Sequence, residues 1–202
     1  DLARDGAVIA ACARHASSAG FLRPMGDVGQ IVPFSADLRD ERALAAVVAG
    51  CDAVVNLVGI LYERGKQRFD VAHHRGAGRL ATLAKSAGVK RFVQISALSA
   101  DPKSSASYAR SKAEGEAAVR AAFPSATILR PSLVFGPEDN FFKRFAAMAR
   151  VSPVLPLIGG GETKFQPVYV GDVATAVSAV LARDESEGKT YALAGPAVFS
   201  MR

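Results

Sequence analysis

The chain has 202 residues, half of them hydrophobic, 7% aromatic and 22% charged, with a formal net charge of +6. That length and balance suit one α/β domain with a sizeable core and exclude a disordered or fibrous chain. No apolar run approaches the ~20 residues a membrane-spanning helix needs, no secretory signal opens the sequence, and Cys12 and Cys51 lack the spacing of a disulfide framework, so buried thiols in a reducing compartment are expected.

Asp1 to Asp5 read as the end of a helix, with Gly6 as its C-terminal stop. Ala7 to Cys12 is a short buried strand that runs on to Arg14 and His15. Phe21 to Gly29 is a loop, and Gln30 to Ser35 is the next strand, leading to Ala36-Asp37-Leu38. Asp37 is a candidate cap for a helix over Glu41 to Val48. Cys51 to Val58 has the apolar character of a parallel strand buried on both faces, and Gly59 after it lets a backbone come close to a phosphate. Phe69 to Lys85 is a helix bearing His73 and His74. Neighbouring side chains on a helix diverge by about 100°, and no Cys or acidic residue has ligand spacing, so His73 is read as structural and no metal is expected.

Phe92 to Ile95 is a buried strand that passes through a turn at Asp101-Pro102 into a helix carrying Tyr108 and Lys112. Ala126 to Leu129 is the following strand. Asn140 to Arg150 is amphipathic, and Val151 to Ile158 is apolar with Pro153 and Pro156; the pair reads either as core-facing or as a lid or docking surface. Gly159-Gly160-Gly161 follows no strand and lacks a Lys-Ser/Thr ending, so it is a plain turn. Asp172 is expected to cap a helix over Val173 to Ala182, and Ser200 is placed as an N-cap.

Tyr108 and Lys112 carry the chemistry. Four residues make about one helical turn, so their side chains share a face. An ammonium beside a phenol favours the phenolate and is expected to lower a pKa that starts near ~10. The same ammonium can donate to ribose hydroxyls, and the phenol can exchange a proton with a carbonyl. Together with Ala53-Val54-Val55-Asn56-Leu57-Val58-Gly59-Ile60-Leu61, Ile95-Ser96-Ala97-Leu98, Tyr108-Ala109-Arg110-Ser111-Lys112, the run from Leu129 to Asp139 and the run from Phe165 to Val173, this pair makes the chain resemble the short-chain dehydrogenase/reductase superfamily. The likeness is to its extended or atypical branch, of the NAD-dependent epimerase/dehydratase type. It extends to the nucleotide-binding accessory subunits of respiratory complex I and their bacterial relatives, and it covers essentially all of the sequence.

The resemblance implies a Rossmann-like, doubly wound parallel α/β fold, a single NAD(P)-binding domain over 1–202 in which 138–170 belongs to a small substrate or lid region. The implied dinucleotide contacts are Arg14, Asp37, Leu38, Leu57, Val58, Gly59, Tyr108, Lys112, Pro131, Ser132 and Val134. Asp37 takes the adenine amino group in this pattern, the segment around Pro131 lies over the nicotinamide, and His73 falls where the branch often carries an Asn that supports adjoining backbone. Arg14 sits just past the strand that borders the adenosine 2′ position, where an arginine accommodates a phosphate. NADP(H) is therefore expected ahead of NAD(H), the alternative being a free surface arginine.

The implied catalytic set is Tyr108 as acid or base, Lys112 as its partner and Ser96 as donor to a carbonyl. One departure weakens it. Catalytic members carry Ser or Thr where this chain has Ala97; Ser96 lies one residue earlier and points the other way along a strand, and Ser99 reaches only if the loop bends. Losing such a donor typically costs about 10²–10³ in rate. The Gly-rich turn and first strand of the fold are also missing, so the chain is expected to be an interior portion of a longer one. The leading expectation is an NADP(H)-binding accessory or regulatory subunit of complex I type with little or no turnover. An active NADP-dependent reductase or epimerase/dehydratase and a nucleotide-binding redox sensor are the alternatives. The basic residues are dispersed and do not interleave with aromatics, so nucleic acid is not expected; the resemblance implies complex I subunits as partners and a peripheral contact at the cytoplasmic or matrix face of the inner membrane, with which a basic surface agrees.

Overall fold

The computed structural model describes residues 1–139, 150 and 162–200. In chain order the elements are β1 (Ile9–Ala13), β2 (Ile31–Ser35), α1 (Glu41–Val48), β3 (Ala53–Asn56), α2 (Gly76–Ser86), β4 (Arg91–Ile95), α3 (Ser107–Ala122), β5 (Thr127–Pro131), β6 (Val134–Phe135), β7 (Val168–Tyr169), α4 (Val170–Ala182) and β8 (Thr190–Leu193). A four-stranded parallel sheet has the order β3-β4-β5-β8, with β4 in register through Val54↔Phe92 on one side and Val93↔Thr127 on the other. β1 and β2 form a separate parallel ribbon, so among the described residues β1 and β3 are both edge strands. The parallel pairs are joined by crossovers that lay helices on the sheet faces.

Alternation along β4 sets the two layers. Phe92 turns to one face and joins Leu44, Val48, Leu80, Val119 and Phe123, the apolar stripes of α1, α2 and α3. Its ring lies 5.6 Å from that of Phe123, and burying an aromatic side chain of this size stabilises by roughly 1.5–3 kcal/mol. Val93 turns to the other face and meets Leu129 and Val177 of α4. Helices on both faces make the sheet doubly wound, as expected.

The amino end of the sheet is latched by charge. Arg91, first in β4, pairs with Asp184 and Glu187. Arg120 donates to Gly188 O at 2.8 Å and Thr190 Oγ1 at 2.6 Å. The carboxyl end carries the loops, and the strand pairing runs on into them through Ser96 N–H to Leu129 O and Leu98 N–H to Pro131 O.

Several local expectations need correction. The loop expected over 21–29 is largely a 3₁₀ segment, Ala16–Met25. The strand expected from Cys51 to Val58 narrows to Ala53–Asn56. Asp40 rather than Asp37 caps α1, accepting from Ala43 N–H at 3.0 Å, because Asp37 is held by Arg39. Asp172 does not cap α4, which begins after Tyr169; it lies in the first turn, where a negative charge favours the helix dipole. The helix expected over 69–85 is a π-turn, Asp70–Arg75, followed by α2. Gly6 behaves as expected: its φ is +90°, and the bonds from its own N–H to Ala3 O and from Ala7 N–H to Leu2 O close a helical turn. The segments read over 140–149 and 151–161, with most of the small region assigned to 138–170, lie outside the described residues.

Candidate functional site

α3 begins beyond β4 and runs back along the sheet, so its first turns overlook the carboxyl ends of β3 and β4. Lys112 is only 7% exposed, while Tyr108 is half-buried. The lysine Nζ stands 6.0 Å from the centroid of the Tyr108 ring, as the four-residue spacing requires. Nζ approaches Ile95 O at 3.5 Å, and a Cβ on Gly59 would lie 3.1 Å from it. The sequence therefore brings Tyr108, Lys112 and Gly59 together at one place.

The electrostatics differ from expectation. Burial dominates, pushing the Tyr108 phenol above its ordinary value and the Lys112 ammonium down to about 8, with Glu116 opposing the latter. The expected lowering of the Tyr108 pKa is thus corrected: at that distance the ammonium does not offset the loss of solvent. At neutral pH Tyr108 is a neutral phenol, a donor to a ribose or carbonyl oxygen rather than a ready base.

His73 braces this pair. It is 3% exposed, its Nε2 accepts from Ile60 N–H at 3.0 Å, and its Nδ1 lies 2.9 Å from Ser111 Oγ. An acceptor at Nε2 places the proton on Nδ1, so Nδ1 donates to Ser111 and Ser111 donates on to Tyr108 O at 2.8 Å. The His73 ring stacks on Phe69 at 5.3 Å and meets Tyr108 edge-on at 5.6 Å. The chain after β3 and the first turn of α3 are thereby tied together. The π-turn that carries His73 presses against α3, where a Cβ on Gly115 would fall 2.0 Å from His73 O.

Burial, with Lys112 nearby, pulls the His73 pKa from 6.5 to about 4. Between those values the unfolded chain binds a proton that the folded chain refuses, so this contribution is complete above pH ~6.5 and is lost as pH falls towards ~4. The expected loss approaches an upper bound of about 3 kcal/mol. Denaturant titrations at stepped pH check it: His73→Asn should flatten the acid limb, and an unchanged limb would count against a neutral buried imidazole.

The remaining residues fall into three groups. Asn56 is buried, donates to Gln94 Oε1 at 2.9 Å and accepts from Val58 N–H at 3.1 Å, shaping the exit from β3 that leaves Leu57 and Val58 exposed at the rim. Arg14 lines an open recess of about 650 Å³ with Ile60, Leu61, Tyr62, Arg64 and Gln67. Pro131, Ser132 and Val134 follow one another at the carboxyl end of β5 and into β6, held by Ser132 N–H to Leu193 O and by pairing with Val168.

Asp37 is gripped by Arg39 through Oδ1–Nε at 2.9 Å and Oδ2–Nη2 at 2.7 Å. Hydrogen bonds from Arg39, with Arg14 adding to the field, hold its carboxyl down to about 2. Leu38 is partly buried: its side chain packs against Gly76 and the α1–α3 cluster, and its carbonyl accepts from Arg79 at 2.7 Å.

Ser96 faces α3. Its hydroxyl is buried and committed to Glu116 Oε1 at 2.5 Å, so it is no free donor for a carbonyl beside Tyr108. Glu116 in turn forms a two-pronged pair with Arg130, Nε to Oε1 at 2.9 Å and Nη2 to Oε2 at 2.6 Å. Sequence reasoning missed this pair and the Asp37–Arg39 pair. The signals available were the position of Glu116 one turn beyond Lys112 and that of Arg39 two residues after Asp37. No group of three His, Cys, Asp or Glu able to hold a metal occurs among the described residues, and no described helix is long and apolar enough to cross a membrane.

Residues 2–194 match the family described as NAD dependent epimerase/dehydratase family. The chain is 46% identical over 181 residues to NADH dehydrogenase (ubiquinone) 1 alpha subcomplex subunit 9, mitochondrial, of Arabidopsis thaliana, covering 89% of this chain and 45% of that one. It is 36% identical over 143 residues to ceramide reductase of Caulobacter vibrioides, covering 71% and 44%. Among solved structures, UDP-glucuronic acid 4-epimerase from Bacillus cereus, in complex with UDP-glucuronic acid and NAD, superposes with a TM-score of 0.75 at 21% identity, covering 90% of this chain and 66% of that one. The chain spans about half the length of the curated relatives it matches.

Proposed function

Because the chain belongs to the NAD dependent epimerase/dehydratase family, we propose that it holds a nicotinamide dinucleotide over the carboxyl ends of β3 and β4 and serves as an accessory subunit of a respiratory complex I assembly, with little or no turnover. The observation that carries the reading is Lys112. An ammonium has three donors, yet among the described residues this buried one has a single long bond, to Ile95 O at 3.5 Å. Ribose hydroxyls are acceptors of the right kind for the remaining donors, and Gly59 beside it keeps the approach open. The relatives named as subunits of NADH dehydrogenase support the assembly, which would place the protein at the matrix or cytoplasmic face of the inner membrane.

Low turnover follows from the oxygen-polarising position. Ala97 is buried where a hydroxyl is needed, and the Ser96 hydroxyl is engaged elsewhere. A second reading, an active reductase, draws on Tyr108 and on the likeness to ceramide reductase. Steady NADPH consumption that disappears in Tyr108→Phe would establish it over the first.

NADP(H) is favoured over NAD(H) by Arg14, which lines the recess after β3 and acts electrostatically on Asp37. Mass spectrometry of nucleotide released from denatured full-length protein is expected to find NADP(H). Arg14→Ser should weaken NADPH binding roughly tenfold, the loss of one charge-assisted phosphate contact, and leave NADH binding nearly unchanged. Equal losses for both would remove Arg14 from the selectivity, and an empty protein would remove the reading.

A further inference from the structure

Lys112 and Glu116 stand one turn apart on α3, 7% and 6% exposed, at a spacing where an ammonium and a carboxylate can pair. Among the described residues the ion pair that Glu116 makes is with Arg130 instead. Both carboxylate oxygens are taken: Oε1 by Ser96 and Arg130 Nε, Oε2 by Arg130 Nη2. We propose that Arg130 is a positioning residue, which holds the Glu116 carboxylate away from Lys112 and so leaves the lysine ammonium free for the hydroxyls of a nucleotide ribose.

The proposal rests on the nucleotide reading above and deepens it. A guanidinium fits a carboxylate with two parallel bonds, which an ammonium cannot do, so Arg130 outcompetes Lys112 for the same anion. Ser96, just beyond β4, adds a third donor, so that three of the carboxylate's roughly four lone pairs are engaged. Arg130, in β5, reaches across from the neighbouring strand. The sheet thus supplies both groups that keep a helix-borne anion out of the site. The groups facing Lys112 from elsewhere are Tyr108 on its own helix, the Ile95 carbonyl from β4, neutral His73 from the π-turn and Gly59 after β3. The carboxylate within electrostatic reach is Glu116. Free of Arg130, it has two cations one turn away on its own helix, Lys112 and Arg120; Arg120 is engaged by Gly188 O and Thr190 Oγ1, which leaves Lys112 as the partner.

Arg130→Met in the full-length protein tests this with two readings. NADPH affinity should fall about 10- to 100-fold, the loss of charge-assisted bonds to the ribose. Without nucleotide, the side-chain NMR titration of Lys112 should move upward from its midpoint of about 8. Arg130→Met combined with Glu116→Met removes both charges in favour of apolar groups of similar size, an exchange that buried pairs often tolerate, and should restore affinity to near that of the unaltered protein. Arg130→Lys, which grips one oxygen only, should move the Lys112 midpoint part of the way even if Arg130→Met fails to fold. An unmoved midpoint in the folded Arg130 variants, or a double variant that binds as weakly as Arg130→Met, overturns the proposal. If the unaltered protein binds no dinucleotide, the nucleotide reading fails, while the Lys112 midpoint still decides what Arg130 does.

Discussion

Lys112→Met is expected to raise the thermal stability of the protein at neutral pH and to abolish dinucleotide retention in the same molecule. Burial takes the Lys112 pKa from 10.5 to about 8, which means the folded state disfavours the charged form relative to the unfolded state. The sign follows from linkage: below pH ~8 both states carry the proton and the whole penalty is present, and between ~8 and ~10.5 the folded lysine sheds its proton first and the penalty fades. A shift of that size corresponds to an upper bound of about 3 kcal/mol. Methionine keeps the length and flexibility of the stem and carries no charge to desolvate. Each kcal/mol gained should lift the melting midpoint by about 2–4 °C in a chain of this size. The advantage of the variant should be largest near pH 7 and shrink towards pH 10. Melting curves at those two values, beside a nucleotide assay, check both halves. A variant less stable than the unaltered protein at pH 7 would make the ammonium a net contributor to folding and remove the main physical reason for reading it as a ligand-binding group.

Gly115→Ala is expected to be the most damaging small substitution among those that touch the site. Alanine in the middle of a helix ordinarily gains about 1 kcal/mol over glycine. Here the added Cβ would lie 2.0 Å from His73 O and 3.0 Å from His73 C. Both are backbone atoms of the π-turn, so no rotamer change relieves the overlap; α3 and the turn must separate. Overpacking of this kind costs about 1–3 kcal/mol and occasionally more, and with backbone on both sides the expected net loss is at or above ~3 kcal/mol. The separation would also pull His73 from Ser111 and Ile60, so dinucleotide affinity should fall with stability. The denaturation midpoint and a nucleotide titration report the two effects. A midpoint at or above that of the unaltered protein would mean that the helices approach less closely than the structure has them.

What could be read in the sequence is what depends on short periods. The apolar run from Cys51 to Val58 already pointed to a parallel strand covered on both faces, and the four-residue step from Tyr108 to Lys112 put both side chains on one face. The misreadings arise where a distant or sideways partner decides. Asp37 and Asp40 both precede α1 and both suit a cap; Arg39 claims the first, which leaves the second for the helix. The Tyr108 pKa turns on how much solvent the folded chain removes, a tertiary quantity that spacing does not contain. Ser96 could be read as lying one residue before the donor position, but its partner, Glu116, lies 20 residues on and across a helix–sheet interface. The Arg130 partner of Glu116 comes from yet another strand. Such polar pairs form between elements whose meeting the local pattern does not specify.

The π-turn over Asp70–Arg75 has a consequence for how this stretch can diverge. Gly76 N–H reaches back five residues to Val71 O, so the turn contains one residue more than a regular α-helical turn. Losing that residue would restore the α-helical bonding and swing everything on its amino side by about 100° relative to α2, carrying Phe69 off the His73 ring; adding one would swing it the other way. A single-codon deletion or insertion cannot be absorbed here, and the length of the segment is as much a part of the site as any side chain in it.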